Sequence, residues 1–117
     1  MTYFRIYTGP DGLSYFEDVD ANPSTPGVPD PAQAIATESL IFRTSAPGSV
    51  QDYHTAPRRQ FVITLRGEAE LVASGGETRR VGPGSIMLAE DTTGKGHITR
   101  VVGTEQREYL FVTLPDA

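Results

Sequence analysis

The sequence contains no cysteine and no tryptophan, and only two of its 117 residues are histidine. Without cysteine the chain has no disulfide framework, no thiolate nucleophile and no zinc–thiolate site. It has no run of about 18 apolar residues, so we expect no membrane-spanning helix. The first residues lack the basic and apolar regions of a secretory signal, and we therefore expect a cytoplasmic protein with no membrane partner.

Basic residues are also scarce. The chain has ten lysine and arginine residues and 15 aspartate and glutamate residues, which gives a formal net charge of −5. This balance argues against a nucleic-acid partner, because such a partner requires a basic surface. Nine of the ten basic residues are arginine, the side chain that binds a carboxylate or phosphate with a planar fork.

A chain of 117 residues is enough for one domain and too short for two. Short apolar or alternating runs are separated by glycine and proline turns, a pattern that predicts an all-β sandwich or barrel. Residues 31–39 have some helix propensity, enough for one turn at most. The predicted strands cover residues 3–8, 13–19, 39–44, 60–66, 68–73, 78–81, 86–89, 97–102 and 107–114.

The amino-terminal part, residues 1–38, is predicted to be a β arm followed by a proline-rich loop. Tyr3–Thr8 and Leu13–Val19 flank a Gly-Pro-Asp-Gly turn and should form a hairpin. Four prolines in residues 21–31 exclude a helix or a central strand there and predict an irregular crossing loop. Because the arm is rich in tyrosine and phenylalanine, we expect a homodimer in which residues 1–19 cover a sheet edge of the partner.

Each histidine lies in a glycine-rich stretch. In the first stretch Gly48 precedes His54 with five residues between them, and an apolar run ends at Gly67. In the second stretch Gly94 lies three residues before His97. This spacing resembles the two motifs of the cupin superfamily (RmlC-like), and the resemblance covers residues 40–114, most of the chain.

The resemblance departs from the cupin motif at the expected metal ligands. Ala56 occupies the position of the second histidine, and Gln60 occupies the position of the glutamate. The chain is also similar to small bacterial cupin-domain proteins of unassigned function. The resemblance implies one domain over residues 1–117, in which residues 39–114 form a cupin double-stranded β-helix, or jelly-roll barrel.

Strand parity selects the candidate site. Residues of equal parity on a strand share a face, so His54, Ala56 and Gln60 should project together into the barrel. By the same count Arg58 points inward and Arg59 outward. The candidate catalytic residues are His54 and His97, and the candidate substrate-binding residues are Arg58, Gln60, Asp91 and Thr99.

Three functions stay open for a barrel that binds a small polar or anionic metabolite. The first is acid–base chemistry of the isomerase, lyase or decarboxylase type, because an imidazole titrates near neutral pH. The second is a non-catalytic binding or sensing module with a degenerate metal site, which the missing second histidine and the missing glutamate favour. The third is a metal-dependent dioxygenase, since metal-binding cupins hold iron, manganese, nickel or zinc with histidines and a carboxylate.

For that third function the metal ligands would be His54, Gln60 and His97. A neutral amide and two imidazoles make a weak site, so we expect any divalent metal cofactor to bind weakly and to be removed by a chelator. Asp91 completes the ligand set only if its loop folds inward.

Overall fold

The structure is a computed structural model that describes residues 2–20 and 34–115. In this part of the chain no helix is long and apolar enough to cross a membrane. The strands are β1 (Thr2–Thr8), β2 (Ser14–Asp20), β3 (Ser39–Ser45), β4 (Val50–His54), β5 (Gln60–Arg66), β6 (Glu68–Ala73), β7 (Thr78–Val81), β8 (Ile86–Glu90), β9 (His97–Val102) and β10 (Arg107–Thr113).

The predicted all-β class is confirmed, with two differences from the sequence-based prediction. The strand β4 was not predicted, because four of its five residues are polar or aromatic and its first four are exposed. Residues 34–38 form no helix, although one turn was allowed for residues 31–39. The remaining residues of that segment, and the predicted crossing loop of residues 21–31, lie outside the described residues.

The strands form two sheets that face each other. The larger sheet has the order β2-β1-β8-β5-β10-β3, and the smaller has the order β4-β9-β6-β7. Alternate side chains of each sheet point between the two sheets and form one core. Phe4, Ile6, Val62 and Met87 contribute to this core from the larger sheet, and Leu71 contributes from the smaller sheet.

The amino-terminal arm belongs to its own barrel. Strand β1 pairs in parallel with β8 of the same chain, with Phe4 opposite Met87. Strand β2 then pairs antiparallel with β1 and forms the edge of the sheet. The arm therefore covers an edge of its own sheet, whereas the sequence-based prediction placed it on a sheet edge of a partner. The homodimer itself stays a prediction.

The outer face of the larger sheet is mainly apolar over β3, β10 and β5, and it carries the ion pair of Arg5 with Glu90 over β1 and β8. Side chains of β5 that point away from the core include Phe61, Ile63 and Leu65, and Leu65 is 52% exposed. At the edge of the sheet, Leu40 and Phe42 of β3 are 56% and 80% exposed. Strand β3 also pairs along one side only, so half of its backbone hydrogen-bonding groups face outward.

Candidate functional site

A cavity of about 380 Å³ lies between the two sheets. Its size is within the range of sites for small molecules. The wall combines apolar residues with a set of polar side chains, and no aspartate or glutamate of the described residues lines it. The polar residues of the wall are Arg43, Gln51, His54, Thr55, Arg58, Gln60, His97, Thr99, Arg107 and Tyr109.

The two imidazoles meet because β4 and β9 pair antiparallel with His54 opposite His97. Directly opposite residues project to the same face of a sheet, and here that face is the cavity wall. The ring centroids are 4.5 Å apart. Gly96 permits this approach, because its φ is +77° and a Cβ at this position would overlap the carbonyl oxygen of His54.

The ring of His54 is oriented by its own strand. Its Nδ1 lies 2.8 Å from the carbonyl oxygen of Asp52. A carbonyl oxygen only accepts hydrogen bonds, so Nδ1 carries the proton and the neutral ring keeps a lone pair on Nε2. Half-burial of the ring, together with the neighbouring His97, lowers the pKa of His54 below its ordinary value of 6.5. His54 is therefore set up as a neutral base.

His97 is oriented by a carboxylate. Its Nδ1 lies 2.5 Å from Oδ2 of Asp91, and both residues are buried. Asp91 was predicted to contact substrate, but it does not line the cavity and lies behind the imidazole. The inward course of its loop is fixed by the backbone, since the amide of Ala56 donates to the carbonyl oxygen of Asp91 at 3.1 Å. Asp91 therefore fixes the tautomer of His97.

Neither Nε2 has a hydrogen-bond partner among the described residues, so both are free for a bound molecule. The other predicted residues Arg58, Gln60 and Thr99 also line the cavity. Arg58 donates to Oε1 of Gln60 at 3.4 Å. Arg59, the next residue, points away and forms an ion pair with Glu90 at 3.0 Å.

Sequence reasoning missed two arginines of the wall, Arg43 and Arg107. Arg107 begins β10, whose two faces are both rich in apolar residues, so parity alone did not show which side faces inward. Arg43 lies on β3 and packs over the ring of Phe111, with its Cζ 5.3 Å from the ring centroid. Arg107 alternates with Tyr109 and Phe111 along β10, so the sequence does place these three side chains on one face of the strand. Which face points into the cavity could be decided only once the opposite sheet was known.

No protein-family model and no curated protein matches the chain. It is similar to the crystal structure of an uncharacterized conserved protein with a double-stranded β-helix domain from Klebsiella pneumoniae subsp. pneumoniae MGH 78578. The identity is 20%, the match covers 79% of this chain and 81% of that chain, and the TM-score is 0.54.

A second similar structure is a Cupin 2 conserved barrel domain protein from Salinispora arenicola CNS-205. The identity is 22%, the match covers 76% of this chain and 71% of that chain, and the TM-score is 0.54. The chain has the cupin fold. The resemblance carried by Gly48, His54, Gly67, Gly94 and His97 is thereby confirmed for the fold, and at these identities the similarity extends no further.

A metal ion of the kind that cupins hold does not fit this set of donors. Among residues 2–20 and 34–115, no group of three or more histidine, cysteine, aspartate or glutamate side chains is placed to hold one. Asp91 is turned away behind His97, and the oxygen of Gln60 accepts from the cationic Arg58. Two imidazoles beside unpaired arginines are a poor site for a divalent cation. That any metal binds weakly stays a prediction.

We expect the lowered pKa of His54 to appear in the pH dependence of stability. Between that lowered pKa and 6.5, the unfolded chain binds more protons at this residue than the folded protein does. This contribution to stability is therefore complete above about pH 6.5 and is lost as the pH falls toward the lowered pKa. Urea unfolding between pH 5 and 8 should show a shallower decline for His54→Asn. An NMR midpoint for His54 above 6.5 would contradict the expectation.

Proposed function

We propose that this cupin-fold protein binds a small polar or anionic metabolite in its barrel and catalyses acid–base chemistry on it. The observation that carries the proposal is the pair of imidazoles in one cavity wall, each with Nδ1 held by the protein and Nε2 left free. Two such groups suit an isomerase or lyase in which one removes a proton from one atom and the other delivers a proton to a second atom.

The two histidines suit different parts of that chemistry. His54 has a lowered pKa, so it remains neutral and able to take a proton near pH 7. His97 has a buried carboxylate on its far side, and such a partner stabilises the imidazolium that forms when Nε2 takes up a proton. His54 takes a proton from one atom of the ligand, and His97, once its Nε2 has taken up a proton from solvent, delivers a proton to another atom; the ring centroids are 4.5 Å apart, so one ligand can contact both rings.

The experiment begins with ligand discovery. The protein is heated with a pool of small carboxylic acids, sugars and polyols, and compounds that raise the melting temperature are kept. Each is then incubated with the protein in D₂O and followed by proton NMR. We expect a C–H proton next to a carbonyl to exchange for deuterium, because that exchange reports proton abstraction whatever the full reaction is.

His54→Asn and His97→Asn should abolish the exchange, and Arg100→Gln serves as the control. Arg100 is a basic residue outside the cavity, where it pairs with Glu70 at 3.2 Å. Binding with no exchange in the wild type would overturn the catalytic part and favour a binding or sensing module. Failure of every compound in the pool to raise the melting temperature would overturn the proposal as a whole.

We also propose that the protein is a homodimer, formed by two copies of the outer face of the larger sheet. Five strands of this sheet, β3, β10, β5, β8 and β1, present an area on the order of 600 Å² from their spacing and length. A stable interface needs about 600–1,000 Å² per partner. The strongly exposed Phe42 lies at the edge of this area.

Light scattering of the full chain at micromolar concentration should therefore give twice the monomer mass of 12.7 kDa. Phe42→Asp should shift the protein to monomer, because it places a charge in the apolar face. Val50→Asp is the matched control, since Val50 is 58% exposed on the other sheet. A monomeric wild type, or a Phe42→Asp variant that remains dimeric, would contradict this interface.

A further inference from the structure

Arg107 lies deep in the cavity wall. It is the first residue of β10, and only 4% of it is exposed. Its Nη2 donates to Oγ1 of Thr64 at 3.0 Å, and its Cζ lies 4.1 Å from the centroid of the Tyr109 ring. Its Nε is buried and has no hydrogen-bond partner. The guanidinium is thus held in place by neutral groups, with hydrogen-bonding capacity left over.

The arginines of the chain divide into two groups. Six of the nine form ion pairs with carboxylates, and they are Arg5, Arg59, Arg66, Arg79, Arg80 and Arg100. The other three are Arg43, Arg58 and Arg107, which form no ion pair with a described residue. These same three line the cavity, whose wall contains no described aspartate or glutamate. Among the arginines, the ones without a carboxylate partner are therefore the ones that line the cavity.

An uncompensated buried cation has a large cost. Removing a charged group from water costs several kcal/mol unless an opposite charge or enough hydrogen bonds compensate it. Burial lowers the pKa of Arg107, and no carboxylate offsets that effect. Local features that oppose stability persist mainly at functional sites. The missing partner of Arg107 is thus to be sought in a ligand.

The geometry points to a carboxylate as the group that Arg107 binds, so that the metabolite of the proposed function is a small carboxylic acid. This inference rests on the proposed function and specifies its ligand. A guanidinium matches a carboxylate with two parallel hydrogen bonds. One deep arginine balances the single charge of a carboxylate, whereas a phosphate carries up to two charges and needs more donors. Arg43 and Arg58, which are exposed, add positive potential that attracts the anion.

The inference is tested with sodium propionate and its neutral counterpart propionamide, at constant ionic strength. Binding is followed by the melting temperature and by the NMR signal of the Arg107 Nε–H group. Propionate should raise the melting temperature with concentration and shift that signal, and propionamide should do neither. In Arg107→Gln the affinity for propionate should fall about 10-fold to 100-fold, as expected for loss of a charge-assisted contact. Arg100→Gln should bind as the wild type does.

Arg107→Gln should also melt at the same temperature as the wild type or higher when no ligand is present, because an unpaired charge has been removed from the interior. A purely structural arginine would give the opposite result, a lower melting temperature. Equal binding of propionate and propionamide, unchanged binding in Arg107→Gln, or tighter binding of inorganic phosphate would overturn the carboxylate assignment. Those outcomes leave the proposed function standing, whereas the absence of any ligand in the wider pool overturns the proposed function.

Discussion

Replacement of Gly96 by alanine should destabilise the protein by about 4 kcal/mol or more, the range reached only when a mutation forces the core or backbone to move. The φ of Gly96 is +77°, which L side chains rarely adopt, and the added Cβ would overlap the carbonyl oxygen of His54. Strands β4 and β9 would have to separate, and the two imidazoles would separate with them. Urea unfolding measures the loss of stability, and NMR of the histidine rings reports the separation.

Gly103→Ala is the matched control. Gly103 has nearly the same backbone conformation, with φ of +80°, and a Cβ there meets nothing within 4 Å. Its cost should be confined to the backbone term of about 1–2 kcal/mol. Equal losses of stability in the two variants would show that the contact between Gly96 and His54 does not determine how closely the strands approach.

Replacement of Asp91 by alanine is the second change with a large expected effect. It leaves the Nδ1 proton of the neutral His97 ring buried without an acceptor and opens a small cavity behind the ring, and these two effects together should cost about 3–4 kcal/mol. Asp91→Asn should cost less, about 1–3 kcal/mol, because its carbonyl oxygen still accepts that proton while its NH₂ group lacks an acceptor. Chemical denaturation of both variants gives the comparison.

Glu70→Ala provides the reference for a carboxylate outside the core. Glu70 pairs with Arg100 on the outside of the smaller sheet, and a surface pair of this kind contributes about 0–1 kcal/mol. If Asp91→Ala destabilised the protein no more than Glu70→Ala does, the bond between Asp91 and His97 would not be a structural contact. The deuterium exchange of the proposed reaction should also fall in Asp91→Asn, since His97 loses the charge that stabilises its imidazolium.

The strands that sequence predicted well share one property, which is a local pattern with clear ends. Gln60–Arg66 alternates between faces and ends at a glycine, and both the strand and its parity are as predicted. The same alternation of side chains places Arg58 in the cavity wall and directs Arg59 away from it. Strand β4 was not predicted because its own residues show no strand pattern. It is a strand because it pairs with β9, which is distant in sequence.

Parts of the candidate site depend on contacts that are distant in sequence. Asp91 was predicted to bind substrate directly. Its position behind His97 depends on the hydrogen bond between its carbonyl oxygen and the amide of Ala56, which lies 35 residues earlier. Arg107 was overlooked because its hydrogen-bond partner Thr64 lies on the adjacent strand β5, and no local pattern shows that its charge lacks a partner. Ion pairing is a property of the assembled barrel, so the unpaired arginines became visible only in the structure.

The parallel pairing of β1 with β8 has a consequence for synthesis of the chain. Phe4 lies opposite Met87 in this pair, so the ribosome adds 83 residues after Phe4 before its partner residue is in place. At about 5–20 residues per second this delay is on the order of 10 s, during which Phe4 and Ile6 have no core to enter. The hairpin of β1 and β2 is marginally stable alone. A nascent chain therefore exposes this apolar hairpin until β8 has emerged from the ribosome, and chaperones that bind extended apolar segments should associate with it during that interval.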